Sequence, residues 1–336
     1  MSHLHTRLGS ALLVVICLFG SCSPGACDEC CDRHDTSESE PPGQPNPGRN
    51  INAPVPPTCP VYSMGQSLAT VSLDEVDEAS GMATSLANPG VLWVHNDSGD
   101  SARFSAINLQ GELLGQFSLE GITAVDWEDM AAGPGPEPGV RYLYLGDIGD
   151  NSKHRPFVTV HRVREPTLPA GETPFSAVIS DVHSFQLQYP EGTAYDCETL
   201  MVDPLDGTVV LVIKVFGLSF KSTMFSVTLP TQPPAEPLAL THLADISISL
   251  PTAGDVSPDG TRWLLRNYNK AYLWLRPLGS EGAPGSLVET FSGERFEVPI
   301  AAEPQGETVA FAADGSGYYS LSEGIGQPLY FYAKQH

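Results

Sequence analysis

Acidic residues recur along the chain at points where a polar turn leads into an apolar run. The repeating set is Glu78, Glu128, Glu198, Asp255 and Glu307, at intervals of 50, 70, 57 and 52 residues. Carboxylate oxygens are ligands that Ca²⁺ prefers, and neither thiolates nor paired histidines accompany them. If the repeat brings these groups together, their charges require a cation, bound protons or nearby bases. The pattern therefore predicts a calcium-binding cluster.

A second polar set follows the second apolar run of several units, and residues 96–100 and 146–150 share the pattern D-x-G-D. Paired antiparallel strands place the start of one beside the end of the other, so we expect both sets at one edge. An alternative is structural, with the acids bonding backbone amides or pairing with Lys214 and Arg266, which we predict to occupy matching positions. The predicted metal ligands are Glu78, Asn96, Asp97, Asp126, Glu128, Asp147, Glu198, Asp255, Asn267 and Glu307.

Catalytic motifs give little support to an enzyme. The sequence has no G-x-S-x-G, no H-E-x-x-H and no G-x-x-x-x-G-K-[ST], which disfavours serine-elbow, zincin and nucleotide-loop chemistry. His95 stands next to Asn96-Asp97 and is the candidate general base. The alternative to a non-catalytic protein is a calcium-dependent hydrolase of phosphoesters or lactones, in which the metal polarises the substrate and an aspartate or His95 handles a proton.

The elements that must position these residues are short strands. Each acidic start is followed by two or three runs rich in Val, Leu, Tyr, Phe and Trp, separated by Asn, Asp, Pro or Gly. A repeat of about 50 residues with four strands predicts an all-β propeller, with five blades and six as the alternative. The last unit lacks a fourth strand, which residues 67–75 can supply to close the ring. A β-sandwich with a second β-domain does not explain the repeat.

The N-terminus predicts export. Residues 1–21 form a signal peptide with a positive start and a short apolar core, ending before Cys22 in a lipoprotein-like LFGSC box, so Cys22 is the predicted lipidation site. Cleavage near Ala26, giving a secreted or periplasmic protein, is the alternative. Residues 22–58 are a Pro/Gly/Cys-rich linker, and residues 59–336 form the propeller. The pairing of Cys27, Cys30, Cys31, Cys59 and Cys197 cannot be read from the sequence.

Charge limits the partners. Forty acidic against 17 basic residues give a net charge of −23, which disfavours nucleic acid and anionic lipid surfaces. We expect a monomer that meets the membrane only through its lipid and binds an envelope protein or a small molecule.

The stretches HNDSGDSARFSAINLQGELLG, DWEDMAAGPG, YLYLGDIGDN, GDVSPDG and PQGETVAF resemble a family of exported bacterial β-propellers that includes lipoproteins. The resemblance covers residues 74 to 333 and implies the fold without implying a reaction. A looser similarity links the chain to calcium-bearing phytase-like and gluconolactonase/paraoxonase propellers. It implies calcium-ligand roles for Glu78, Asn96, Asn267 and Asp255, whereas Lys214 and Arg266 depart from that pattern.

Overall fold

The computed structural model describes residues 60–171, 173–215, 221–279 and 282–335. This part of the chain is a β-propeller of five small sheets, which confirms the predicted fold class and blade number. The signal peptide, the linker and Cys22, Cys27, Cys30, Cys31 and Cys59 lie outside the described residues, so those assignments stay predictions. Cys197 is a buried free thiol. None of the described helices is long and apolar enough to cross a membrane.

The strands are numbered in chain order, with the strand nearest the channel given first in blades one to four. Blade one contains β2 (Ala79–Thr84), β3 (Val91–Asn96), β4 (Arg103–Asn108), β5 (Leu113–Leu119) and β9 (Phe175–Ile179). Blade two contains β6 (Trp127–Pro134), β7 (Arg141–Asp147), β8 (Val158–Arg164), β10 (His183–Gln188) and β14 (Leu238–Ala239). Blade three contains β11 (Cys197–Val202), β12 (Thr208–Ile213), β13 (Ser222–Thr228) and β15 (Thr241–Ile246). Blade four contains β16 (Pro251–Val256), β17 (Arg262–Asn267), β18 (Ala271–Leu275) and β19 (Arg295–Val298).

Blade five joins the two ends of the described chain. Its inner strands β20 (Ala310–Phe311), β21 (Gly317–Ser320) and β22 (Gln327–Ala333) come from the C-terminal end. The outer strand β1 (Gln66–Val71) pairs antiparallel with β22, as predicted for ring closure. A short α-helix, α1 (Leu287–Ser292), and a 3₁₀ turn (Pro190–Gly192) complete the described secondary structure. Closure in this way removes the free edges that a linear array of sheets would expose.

Two long runs that we expected to serve as single fourth strands with an approach are each divided between two blades. In the run 175–189, β9 lies parallel to β5 of blade one, whereas β10 is the fourth strand of blade two. In the run 238–250, β14 lies parallel to β10 of blade two, and β15 belongs to blade three. Phe175 packs where Gly115 has no side chain, since a Cβ there would lie 2.6 Å from the ring. These exchanges tie neighbouring blades together.

The core lies between adjacent blades. Trp93, Trp127 and Trp263 are almost fully buried. Trp93 packs edge-on against Phe104 and Phe117 within blade one, and the same cluster includes Met130 and Leu143 of blade two. Such packing holds neighbouring first strands side by side around the axis of the ring.

Candidate functional site

A β-bulge recurs at the start of the innermost strands and directs glutamate side chains toward one mouth of the channel. In β2, β6, β11 and β16 the pairing skips the second residue of the strand: Ser80, Glu128, Glu198 and Thr252 respectively. Glu307 follows the bridge between Gly306 and Ser322 in blade five. A bulge redirects the extra side chain. Three of the five blades therefore present a glutamate at the same mouth of the channel, which we call the acidic mouth.

Two groups of carboxylates converge there and share Glu128. One comprises Asp97, Asp126 and Glu128, and the other comprises Glu128, Asp196 and Glu198. Within each group the donor oxygens lie within 4.8 Å of one another. The Glu128, Asp196 and Glu198 side chains are buried, whereas Asp97 and Asp126 are half-buried. The acidic mouth thus has a closed inner group and an outer group that reaches solvent.

One ammonium group lies against the inner group. Lys214 Nζ is 2.6 Å from Glu198 Oε1, and both side chains are buried. Lys214 also donates to Tyr268 Oη at 3.2 Å, and Tyr268 donates to Glu307 Oε1 at 2.7 Å. Burial lowers the pKa of Lys214, but Glu198 and Tyr268 together raise it above its usual value, so the ammonium stays charged. Arg155 pairs with Asp147 beside the outer group, so among the described residues two bases face a larger number of carboxylates and the mouth stays negative.

The pKa values of the carboxyl groups at the acidic mouth are raised by burial and by their proximity to one another. Burial raises the pKa of Asp97 to about 6 and that of Glu198 to about 8, with neighbouring carboxylates adding to both shifts. Burial and the Glu307 side chain raise the pKa of Glu323 to about 10. Burial and then Glu198 raise the pKa of Glu128 well above its usual value. The carboxylates therefore cannot all ionise without a compensating charge.

Two further features fit a bound cation. Asp196 is fully buried, and its Oδ1 accepts a hydrogen bond from the Asp150 amide at 3.0 Å. Its Oδ2 is buried without a hydrogen-bond partner, an arrangement that is costly unless another group satisfies it. Gly149 lies against the outer group, where a Cβ would overlap Glu128 Oε1 and come within 2.5 Å of Asp126 Oδ2. The missing side chain leaves space where these oxygens meet.

Three of the predicted ligands secure the chain instead. Asn96 accepts from the Glu78 amide and donates to Glu75 O, and Asp147 accepts from the Val125 and Asp126 amides and from Arg155. Asn267 donates to Ser249 O and accepts from amides of its own turn. Each ends the second strand of its blade and holds the segment that enters the first strand. Their oxygens are largely occupied by these bonds.

The other predicted ligands are divided between two ends of the channel. Glu78 is exposed at the acidic mouth but belongs to neither carboxylate group, and Glu307 contacts Tyr268. Asp255 lies near the far end of β16, where its Oδ2 accepts from the Phe311 amide at 2.6 Å. The alignment of the repeats was wrong at Asp255. It matched this residue to the repeated glutamates because it is acidic, without knowing which residue of the strand forms the bulge. By that register Thr252, not Asp255, corresponds to Glu128.

The predicted match between Lys214 and Arg266 is also wrong. Arg266 is opposite Ala253, whereas Lys214 follows the last pair of its blade and contacts Tyr268. Arg266 is fully buried and paired with Glu303 at 2.5 Å, away from the two carboxylate groups. The pairing register therefore separates two cations that the sequence treated alike.

His95 is shut away from the acidic mouth. Its side chain is buried, Nδ1 contacts Asn96 O at 2.8 Å, and the ring packs edge-on against Trp127 at 5.2 Å. Gly81 makes room for it, since a Cβ there would come within 2.7 Å of the imidazole carbons. Burial lowers the pKa of His95, so the imidazole stays neutral. Its position is that of a packing residue rather than a general base in contact with substrate.

Sequence reasoning did not assign a role to Asp129, which is fully buried at the centre of the ring. Its Oδ1 accepts from its own blade at Met130, and its Oδ2 accepts from Leu200 at 2.9 Å and from Gly254 at 3.4 Å. It therefore ties the innermost strands of blades two, three and four together. Asp129 follows directly after Glu128, the residue that the strand pairing skips. The different roles of these two acids are therefore visible only when the strand pairing is known.

Comparisons with known proteins found similar solved structures at low sequence identity. No family model and no curated protein matches the chain. A PQQ-bound aldose sugar dehydrogenase from Streptomyces coelicolor is similar with TM-score 0.45 and 12% identity, over 84% of this chain and 100% of that one. A luciferin-regenerating enzyme is similar with TM-score 0.40 and 9% identity, over 79% of this chain and 94% of that one. Kuenenia stuttgartiensis hydrazine synthase is similar with TM-score 0.39 and 12% identity, over 77% of this chain and 96% of that one.

Proposed function

We propose that this protein is an exported, lipid-anchored binding module whose acidic mouth holds a divalent cation, Ca²⁺. Asp97, Asp126 and Glu128 would hold the ion, and Asp196 and Glu198 would supply the second face of the site. These are all oxygen ligands, as Ca²⁺ prefers. Lys214 neutralises part of the inner group, and Arg155 offsets part of the charge beside Asp126, but the carboxylates still outnumber these two bases. The observation that carries the proposal is the sharing of Glu128 by two converging carboxylate groups.

The half-buried outer group suggests what the ion is for. Asp97 and Asp126 reach solvent, so an ion held there would keep positions open toward an incoming ligand. A bound cation also reverses the local sign of charge, which favours a carboxylate- or phosphate-bearing partner at an otherwise acidic surface. The bound partner would thus be a small acidic molecule or an acidic group of an envelope protein.

Binding is favoured over hydrolysis because the histidine candidate for the general base is inaccessible. His95 is buried behind Gly81 and Trp127, so the calcium-dependent hydrolase keeps only an aspartate as its proton acceptor. A panel of phosphoesters and lactones, assayed with and without Ca²⁺, tests this preference. Turnover that depends on calcium and disappears in Glu128→Gln would overturn the non-catalytic reading.

Metal binding is tested on the purified domain by elemental analysis and by calorimetric titration with Ca²⁺ and Mg²⁺. Glu128→Gln should weaken Ca²⁺ binding by about tenfold or more, because it removes a charged ligand common to both groups. Gly149→Ala should weaken binding by filling the space between Glu128 and Asp126 without changing the charge. Glu78→Gln is the matched control, since it removes an exposed acid from the same mouth. Equal losses in Glu78→Gln and Glu128→Gln would refute a built site and leave only general attraction.

The lipid anchor is tested separately in a bacterial expression host. A radiolabelled fatty acid should enter the wild-type protein and not Cys22→Ala, and only the wild type should sediment with membranes. Equal labelling of the two proteins, or none in the wild type, would leave a secreted or periplasmic propeller. This result does not bear on the cation site, which lies in another part of the chain.

A further inference from the structure

A second cavity lies at the end of the channel opposite the acidic mouth. It has a volume of about 270 Å³ and is lined by side chains from all five blades. The small Ala83 and Ala132 leave the space open, and Pro204 and Phe311 give it apolar walls. Asp255 is the one carboxylate among the lining residues. The cavity therefore combines apolar and polar walls with a single acid, which suits a small organic ligand that has one charged group.

The two ends of the channel are separate. Asp129 lies between the two ends. Its carboxyl group accepts hydrogen bonds from the backbone amides of Leu200 and Gly254, which belong to the next two blades. Asp129 itself is fully buried, so its side chain is not in contact with solvent at either end. An ion at the acidic mouth and a ligand in the second cavity would thus bind independently.

In the part of the chain that the structure describes, Asp255 borders the cavity without a base to pair with, unlike three other enclosed acids. Asp129 is likewise held only by backbone amides, but it does not line the cavity. Asp203 is paired with Arg276 at 2.6 Å, Glu303 with Arg266 at 2.5 Å and Glu198 with Lys214 at 2.6 Å. Asp255 has no ion pair among the described residues, and its partners are the backbone amides of Phe311 and Val256. The Phe311 bond fixes Oδ2. An enclosed carboxylate beside an unfilled space favours a cation that enters from outside.

We propose that this second cavity binds a small organic amine, with its ammonium group against Asp255 and its alkyl part against Ala83, Ala132 and Phe311. A charge-assisted hydrogen bond to the carboxylate would supply most of the selectivity. Arg141, at the exposed rim, would exclude ligands carrying a second positive charge. A divalent metal is disfavoured because no second carboxylate lines the cavity.

The test is calorimetric titration of the purified domain, in excess EDTA, with n-butylammonium, n-butyrate and n-butanol as probes of matched size. Only n-butylammonium should bind. Asp255→Asn should weaken it by about tenfold or more, since an amide keeps the Phe311 bond but loses the charge. Ala132→Leu should also prevent binding by filling the cavity, and Glu128→Gln should leave it unchanged.

Each contrary result overturns the proposal. Loss of binding in Glu128→Gln, or binding that survives Asp255→Asn, would place the amine at the acidic mouth. Preference for n-butyrate would show that Arg141 governs the cavity. No heat from n-butylammonium, together with no change in the Phe311 amide resonance on titration, would show that the cavity takes no amine. The amine site and the calcium site can fail separately, because the titrations are done without metal.

Discussion

Lys214 offers the sharpest test of the electrostatics at the acidic mouth. Its ammonium lies 2.6 Å from Glu198, with the two side chains 8% and 6% exposed. Breaking a buried ion pair by removing one partner costs about 3–5 kcal/mol, because the other charge stays buried and unpaired. Lys270 and Glu297 are also 2.6 Å apart, but their side chains are 50% and 48% exposed. Exposed pairs contribute about 0–1 kcal/mol, so Lys270→Met is a matched control.

The prediction concerns the free energy of unfolding in urea, measured in EDTA at pH 8.5, above the Glu198 pKa of about 8. Lys214→Met should lose about 3–5 kcal/mol, and Lys270→Met no more than about 1 kcal/mol. The Lys214→Met loss should shrink at pH 6.5, since a protonated Glu198 no longer needs the ammonium. Calcium should stabilise Lys214→Met more than the wild type, because the ion can take the place of the lost charge.

The reasoning is refuted if the two methionine variants unfold at the same urea concentration with the same slope. It is also refuted if Lys214→Met is destabilised equally at both pH values, which would indicate lost packing against Tyr268 rather than lost charge. If calcium stabilises the wild type and Lys214→Met equally, the ion does not bind at the inner carboxylate group.

Two other predictions concern stability away from the acidic mouth. Arg276→Met should lower the free energy of unfolding by about 3–5 kcal/mol, because it strands the buried Asp203 carboxylate between blades three and four; a urea titration showing less than about 1 kcal/mol would contradict this. Burial raises the pKa of Asp255 to about 7, whereas the pKa of an aspartate in the unfolded chain is about 3.9. The folded state therefore keeps the proton of Asp255 to a higher pH than the unfolded state does. As a result, the wild type loses stability as pH rises from about 4 to 7. Asp255→Asn cannot ionise, so its stability relative to wild type should rise by about 2 kcal/mol between pH 5 and pH 8, and thermal melts showing a constant difference would refute the pKa shift.

Much of the fold could be predicted because it follows from local patterns. Short apolar runs bounded by Gly, Pro, Asn and Asp specify strands, and their spacing specifies a five-unit ring. The unpaired last unit and the run at 67–75 together predicted the closing strand. The division of residues 175–189 and 238–250 between blades could not be predicted, because parallel pairing to a preceding blade leaves no signature in sequence spacing.

The positions of the predicted site residues followed only partly from the sequence, and their role as metal ligands stays a prediction. Asp97, Asp126, Glu128, Asp196 and Glu198 lie together at the acidic mouth. Asn96, Asp147 and Asn267 have the right chemistry and the right edge, yet they are occupied by the backbone that enters each blade. Asp129 and Glu128 are adjacent acids with different roles, one tying strands together and the other facing the mouth.

The sequence by itself determined an acidic, all-β ring with its carboxylates gathered at strand starts. These properties depend on composition and on a period of about 50 residues, which any reading of the chain preserves. Only the tertiary structure decided which acids meet, because one skipped residue in a strand reverses the direction of every side chain before it. The register makes Thr252 the counterpart of Glu128, so Asp255 lies further along its strand, toward the other end of the channel. It also places Lys214 rather than Arg266 among the converging charges.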